Sequence, residues 1–175
     1  VVSGGAVAAG VSPLVSAVGG EGAARQGTGP YPDPDFRQLD SWIVIHGDNT
    51  ATFYVGKTDC GQGTGTAFRQ MMADELDLGY DRTSLVMGST DVTPDQGGSG
   101  GSDAIQRDGW PMRRVAAEAR RVLLELASER LGAPVDELVV NEAVVSLKAN
   151  PSRQVTYADL IGGQRFDVSL MGRNV

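Results

Sequence analysis

The chain has one cysteine, Cys60, and one histidine, His46, among its 175 residues. A single cysteine excludes an intrachain disulfide. One of each residue also excludes a zinc site of the Cys/His kind and an all-protein iron–sulfur cluster. The same count argues against a Cys–His or Ser–His–Asp catalytic site, and no acidic residue is well placed beside His46. Basic residues are in short supply as well. Lys and Arg number 15 against 22 Asp and Glu, a net charge of -7, and no basic stripe stands ready for a phosphate backbone. What remains is ordinary for a soluble globular protein, with 41% hydrophobic and 21% charged residues. A chain of this length can bury roughly two-thirds of its unfolded surface in one core.

The opening "VVSGGAVAAGVSPLVSAVGG" carries no charge before Glu21. It is too rich in glycine, and too interrupted by Pro13, to read as a spanning helix. Residues 1–24 read as the apolar middle of a secretory leader, closed by the small residues Gly22, Ala23 and Ala24; a flexible terminus is the alternative by composition. The expected location is therefore the cell envelope or periplasm, with the cytoplasm as the alternative because no twin-arginine pair is present. Residues 25–38 form a Pro/Gly-rich linker, and order is expected from about Leu39.

"SWIVIHGDNTATFYVGK" predicts a hairpin turning at "GDNT", with His46 a structural residue at the end of its first strand. Phe68, Met71, Met72 and Leu76 recur at helical spacing and predict an amphipathic helix over 66–77. "TSLVMGST" reads as a short strand. The spacing of Met112, Val115, Ala119, Val122, Leu123 and Leu126 predicts a second helix over 111–131, stopped by Gly132 and Pro134, with Arg114/Glu118 and Arg121/Glu125 as surface pairs. "ELVVNEAVVSLKANPSRQVTYADLIGG" predicts two short strands, a turn and a one-turn helix, and "RFDVSLMGRNV" begins a new alternating run. The order implies an α+β fold, a mixed sheet with two amphipathic helices on one face.

Two glycine-rich loops stand out, "CGQGTGT" and "DVTPDQGGSGGSDAIQRDG". The first is not a dinucleotide fingerprint, because Thr66 stands where the third glycine is needed. It is not a P-loop either, because no Gly-Lys-Ser/Thr follows. Glycines without Cβ atoms at the start of a helix still allow a polar ligand to approach the backbone, and free N–H groups there favour an anion. Gln62 offers a neutral donor and acceptor pair suited to the edge of a heterocycle. A merely tight strand-to-helix turn is the competing reading. Both loops follow strands and lead into helices, so they are expected on one side of the sheet.

"DCGQGTGTAFRQMMADELDL", then "VMGSTDVTPDQGGSGGSDA", then "DG" before a long arginine- and alanine-rich helix resembles one segment of the molybdenum hydroxylases, the xanthine dehydrogenase and aldehyde oxidase family. The order of parts is similar to the branch of the isoquinoline 1-oxidoreductase β subunit, over about residues 39–170. The resemblance implies that 39–175 is part of a larger molybdopterin-binding domain. It implies a molybdenum-pyranopterin cofactor, in the cytosine dinucleotide form, lying against Gly61, Gln62, Gly63, Thr64 and Gly65, and approached by Gly101 and Ser102 of the second loop. Asp103 and Ala104 depart from the basic and hydroxyl residues expected there. Cys60, which replaces another residue of the family pattern, is expected to be a small buried side chain.

The resemblance further implies hydroxylation of an aldehyde or N-heterocycle, with a glutamate general base in a G-E motif that this chain lacks. No residue here is assigned a catalytic or metal-ligating role. The expected partners are the remainder of the large subunit, a 2Fe–2S small subunit and a small-molecule substrate, with no nucleic acid and no firm membrane span. The chain is expected to be an incomplete piece, inactive alone. The alternative is a stand-alone, non-catalytic module that binds a phosphate-bearing ligand.

Overall fold

The structure, a computed structural model, describes residues 35–170. The leader-like segment and most of the linker lie outside the described residues. β1 (Ile43–Ile45) and β2 (Ala51–Val55) form the predicted hairpin, with Ile43, Ile45, Ala51, Phe53 and Val55 all buried. His46 closes it: its Nε2 lies 2.8 Å from the Thr52 hydroxyl, the structural role expected.

α1 (Thr64–Leu76) follows, burying Phe68, Met72 and Leu76 at successive turns. It ends on Asp77, a left-handed residue whose N–H reaches back to the last helical carbonyls. The chain then returns as β3 (Thr83–Met87), parallel to β2, with Ala51 opposite Thr83 and Val55 opposite Met87. β1, β2 and β3 thus make the expected mixed sheet.

α2 (Gly109–Leu131) packs against α1. A five-residue π-helical segment, Ala104–Asp108, leads into it, so that the helix starts at Gly109, ahead of the proline at 111. Small residues line the contact. Ala116 and Ala119 are fully buried, and a Cβ on Gly109 would stand 3.2 Å from the sulfur of Met71. Arg113 pairs with Glu75 at 2.9 Å, and Arg120 with Asp77 at 3.2 Å. The arginine-rich face therefore also fastens α2 to α1, beyond its solvated pairs of Arg121 with Glu118 and Glu125.

The remaining strands form a second, antiparallel sheet of β4 (Leu138–Asn141), β5 (Val144–Leu147) and β6 (Asn150–Thr156). Three strands stand where two were expected. β6 is an edge strand that contains Pro151 and leaves its first five residues exposed, so it lacks the apolar alternation that reveals strands. α3 (Tyr157–Ile161) is the predicted short helix. The Thr156 hydroxyl accepts from the Asp159 N–H while the Asp159 carboxylate accepts from the Thr156 N–H, a reciprocal cap. The run after it folds back on the start of the described chain: Gln38 and Ser169 form an antiparallel bridge, and the Asp40 carboxylate accepts from the N–H groups of Phe166 and Asp167.

Candidate functional site

β2 and β3 are adjacent parallel strands, and each glycine loop leaves the C-terminal end of one of them. Ligands of sheets with parallel strands sit beyond such ends, where the loops into the helices diverge. The expectation that the two loops share a side is met.

The first loop is organised by an acid outside the predicted set. Asp59 Oδ1 accepts from the N–H of Gly61 at 2.9 Å and of Gly63 at 3.2 Å. Its Oδ2 accepts from the N–H of Gly65 at 2.9 Å. The Gly65 and Gly61 N–H groups hold its carboxyl below the usual carboxylate range. This changes the chemistry of the loop. The N–H cradle at the start of α1 is filled by the chain's own anion, so it is not offered to a phosphate. The signal was in the sequence: an Asp two residues before a glycine is a turn former that bonds forward to backbone N–H groups.

Gln62 is likewise turned inward. Its Oε1 accepts from the Cys60 N–H at 2.6 Å, and its Nε2 donates to the Thr58 carbonyl and the Thr64 hydroxyl, each at 3.2 Å. The amide stiffens the loop. Gly61 and Gly63 have φ of 98° and 78°, a region costly for residues with a Cβ, and nothing lies within 4 Å of where that Cβ would stand. The outer face of the loop is therefore bare backbone. Gly65 differs: its close approach is internal, with a Cβ position 3.3 Å from Met87 Sδ and 3.4 Å from Leu85. Thr64 is buried. Cys60, expected to be buried, is exposed, because Asp59 and Gln62 pull the loop together beneath it and leave its side chain outside.

The second loop is laid along the end of β2. The Gly56 N–H donates to Gln96 Oε1 at 2.8 Å, Lys57 Nζ to the Gly98 carbonyl at 2.9 Å, and the Thr58 N–H to the Ser99 hydroxyl at 2.9 Å. Lys57 is buried and also pairs with Asp108 at 3.2 Å. Gly98 and Gly100, like Gly61 and Gly63, have open space at the Cβ position. Gly101 and Ser102 form a turn with φ of 65° and 53°. Asp103 is drawn to Arg107 at 2.9 Å, one helical turn on, so its charge is neutralised away from the loop. Thr58 and Ser99 tie the two predicted glycine sets together through the residues that precede Gly61 and Gly101.

Among the described residues no group of three or more His, Cys, Asp or Glu is placed to hold a metal, and no helix is long and apolar enough to cross a membrane. An open groove of about 490 Å³ lies elsewhere, lined by Gln70, Met71, Ala73, Asp74, Leu78, Tyr80 and Arg113. It sits along the later turns of α1, away from the glycine loops.

Comparison with known proteins bears on the chain as a whole. A family model described as a molybdopterin cofactor-binding domain matches residues 5–174. One of the nicotinate dehydrogenase subunits of Pseudomonas putida is 32% identical over 142 residues, which is 81% of this chain and 12% of that protein. The β subunit of isoquinoline 1-oxidoreductase from Brevundimonas diminuta is 31% identical over 127 residues, 69% of this chain and 16% of that protein. The crystal structure of quinoline 2-oxidoreductase from Pseudomonas putida 86 shares the fold, with a TM-score of 0.58 at 23% identity over 67% of this chain and 15% of that one. The chain thus spans less than a fifth of the length of each of these relatives.

Proposed function

The chain belongs to the molybdopterin cofactor-binding family of the xanthine dehydrogenase and aldehyde oxidase type, and from that membership we propose that its two glycine loops form one wall of the cofactor site in a molybdenum-dependent hydroxylase. The observation that carries this reading is the parallel pairing of Val55 with Met87, which sends both bare glycine loops off the same end of the sheet.

The residues fit one part of the cofactor better than the rest. Gly61, Gly63, Gly98 and Gly100 present backbone without side chains, so a broad ring system can approach closely. The Asp59 carboxylate fills the N–H cradle and disfavours a phosphate there. The first loop therefore suits the uncharged pyranopterin, with the Gln62 amide holding the loop in shape from behind. This also weighs against the reading as a stand-alone phosphate-binding module. When bound, the molybdenum cofactor supplies the hydroxylation chemistry, and the protein's part is to bind and orient it and to exclude water.

In this reading the active enzyme contains the rest of the large subunit, takes the cytosine dinucleotide form of the cofactor, and passes electrons to a 2Fe–2S small subunit. Its substrate is an N-heterocycle or an aldehyde. The leader-like segment 1–24 supports a location in the cell envelope. The test is the molybdenum and pterin content of the complete large subunit, wild type against Gln62→Ala. Near-stoichiometric molybdenum in the wild type and a clear deficit in the variant support the loop's role. Equal content in both removes it.

A further inference from the structure

Lys57 is the buried cation of this end of the sheet, 7% exposed. Burying an ammonium is unfavourable unless it is paired and hydrogen-bonded, and an apolar residue of the same size packs more stably in such a place. Lys57 meets the condition with two partners from different elements. Its Nζ donates to the Gly98 carbonyl at 2.9 Å and pairs with Asp108 at 3.2 Å, where the two side chains are 8% and 17% exposed. Gly98 lies in the second glycine loop, and Asp108 is the residue just before α2.

Beyond Thr93 and Pro94, which are buried at its start, the glycine-rich part of the second loop has little else to hold it there. A Cβ at Gly97, Gly98 or Gly100 would meet nothing within 4 Å, so these residues are not packed against the domain. Glycine-rich backbone also has the most conformational freedom to lose on becoming ordered. The loop is anchored by three consecutive residues at the end of β2: Gly56 to Gln96, Lys57 to Gly98 and Thr58 to Ser99. Of the three, Lys57 alone joins the loop to the start of α2 as well.

We propose that Lys57 is a positioning residue that sets the spacing of the two glycine loops, with Asp108 as its fixed counter-charge. The proposal rests on the reading of the loops as a cofactor wall. Lys57 does not touch the cofactor; it holds the second loop beside the first at the separation the ligand requires.

The test uses the complete large subunit with Lys57→Met, which keeps the apolar stem, Asp108→Asn, and the double variant. Three readouts are taken: melting temperature, amide hydrogen exchange over residues 88–103 against the interiors of α1 and α2, and molybdenum retained after dialysis. Lys57→Met is expected to raise exchange in 88–103 about tenfold, to leave the helix interiors unchanged and to lower molybdenum retention about threefold. It also lowers the melting temperature, because the largely covered Asp108 carboxylate, 17% exposed, loses its ion-pair partner. The double variant removes that stranded charge. It is expected to recover melting temperature while exchange in the loop and molybdenum loss persist, a split that a merely structural role does not produce. Recovery of molybdenum retention together with melting temperature overturns the proposal, and so does unchanged exchange in the loop. A wild-type subunit without molybdenum overturns the reading of the loops and this role with it. A loaded wild type with unchanged retention in Lys57→Met overturns only the role of Lys57.

Discussion

The hydroxyl of Tyr157 donates to the carbonyl of Leu76 at 2.8 Å, across 81 positions of sequence and in a fully buried setting. Leu76 is the last residue of α1, and its carbonyl is one of those a helix end leaves unpaired. A residue at the start of α3 thus completes the helix that opens with the first glycine loop.

Tyr157→Phe leaves that carbonyl buried and unsatisfied, with an expected loss of about 1–3 kcal/mol in chemical denaturation. Burial holds the phenol above its usual value, with a smaller opposing pull from Arg120. The neutral form is therefore favoured by folding. Its contribution is complete below about pH 10, where the unfolded tyrosine ionises, and is lost as pH rises beyond it. The variant should show a flatter alkaline stability profile than the wild type; parallel profiles contradict the assignment.

Gly56→Ala is expected to be among the most disruptive small changes in the chain. Its Cβ would overlap the carbonyl oxygen of Pro94 and stand 3.0 Å from the Gln96 backbone nitrogen, and neither is a flexible side-chain end. The second loop must move off β2. A loss of about 1–3 kcal/mol is expected from overpacking alone, together with faster amide exchange over residues 94–99. Wild-type melting and exchange in the variant refute the close approach.

Asp59 makes the first loop sensitive to acid. Its carboxyl lies below the ordinary range in the folded state, through the N–H groups of Gly65 and Gly61, so the ordering it provides is present above about pH 4 and fades as pH falls through the lower folded value. In an NMR titration the Gly61, Gly63 and Gly65 amides should shift together with a midpoint below that of a free aspartate. Asp59→Ala should abolish the transition and expose all three amides to exchange. A midpoint at or above the free value contradicts the geometry.

Cys60 is exposed beside the first loop. In the apo-protein it should react with a maleimide at nearly the rate seen in the denatured chain. The proposed role of the loop as a cofactor wall predicts that the same thiol is protected in the cofactor-loaded large subunit. Slow labelling of the apo-protein contradicts the exposure.

How much of this was legible beforehand follows from the range of each interaction. Hairpin β1–β2, the helices α1 and α2 and the strand β3 rest on local spacing of apolar residues, and they appear within a few positions of where that spacing puts them. The α1 start moves back to Thr64 because Gly63 takes a left-handed conformation that only the cap requires. β6 stays hidden because an exposed edge strand with a proline carries no apolar rhythm. The turn at Glu142 and Ala143 is harder still. Both residues have positive φ, 52° and 60°, with neither glycine nor asparagine to announce it. Ala143 is held there by others: its N–H donates to the Asp77 carbonyl, and its carbonyl accepts from Tyr157 and Asn49.

The candidate site divides along the same line. The two glycine loops, their order after strands and before helices, and their kinship are matters of residue type and spacing, which a one-dimensional pattern carries in full. Their use is so only in part. Asp59 and Gln62 find their partners within six residues, a turn pattern that local sequence carries, whereas whether Lys57 reaches Gly98 and Asp108 depends on which distant groups arrive within about 3 Å. Hydrogen bonds and buried charge pairs between distant elements are decided at that range, and only the assembled chain brings their partners that close.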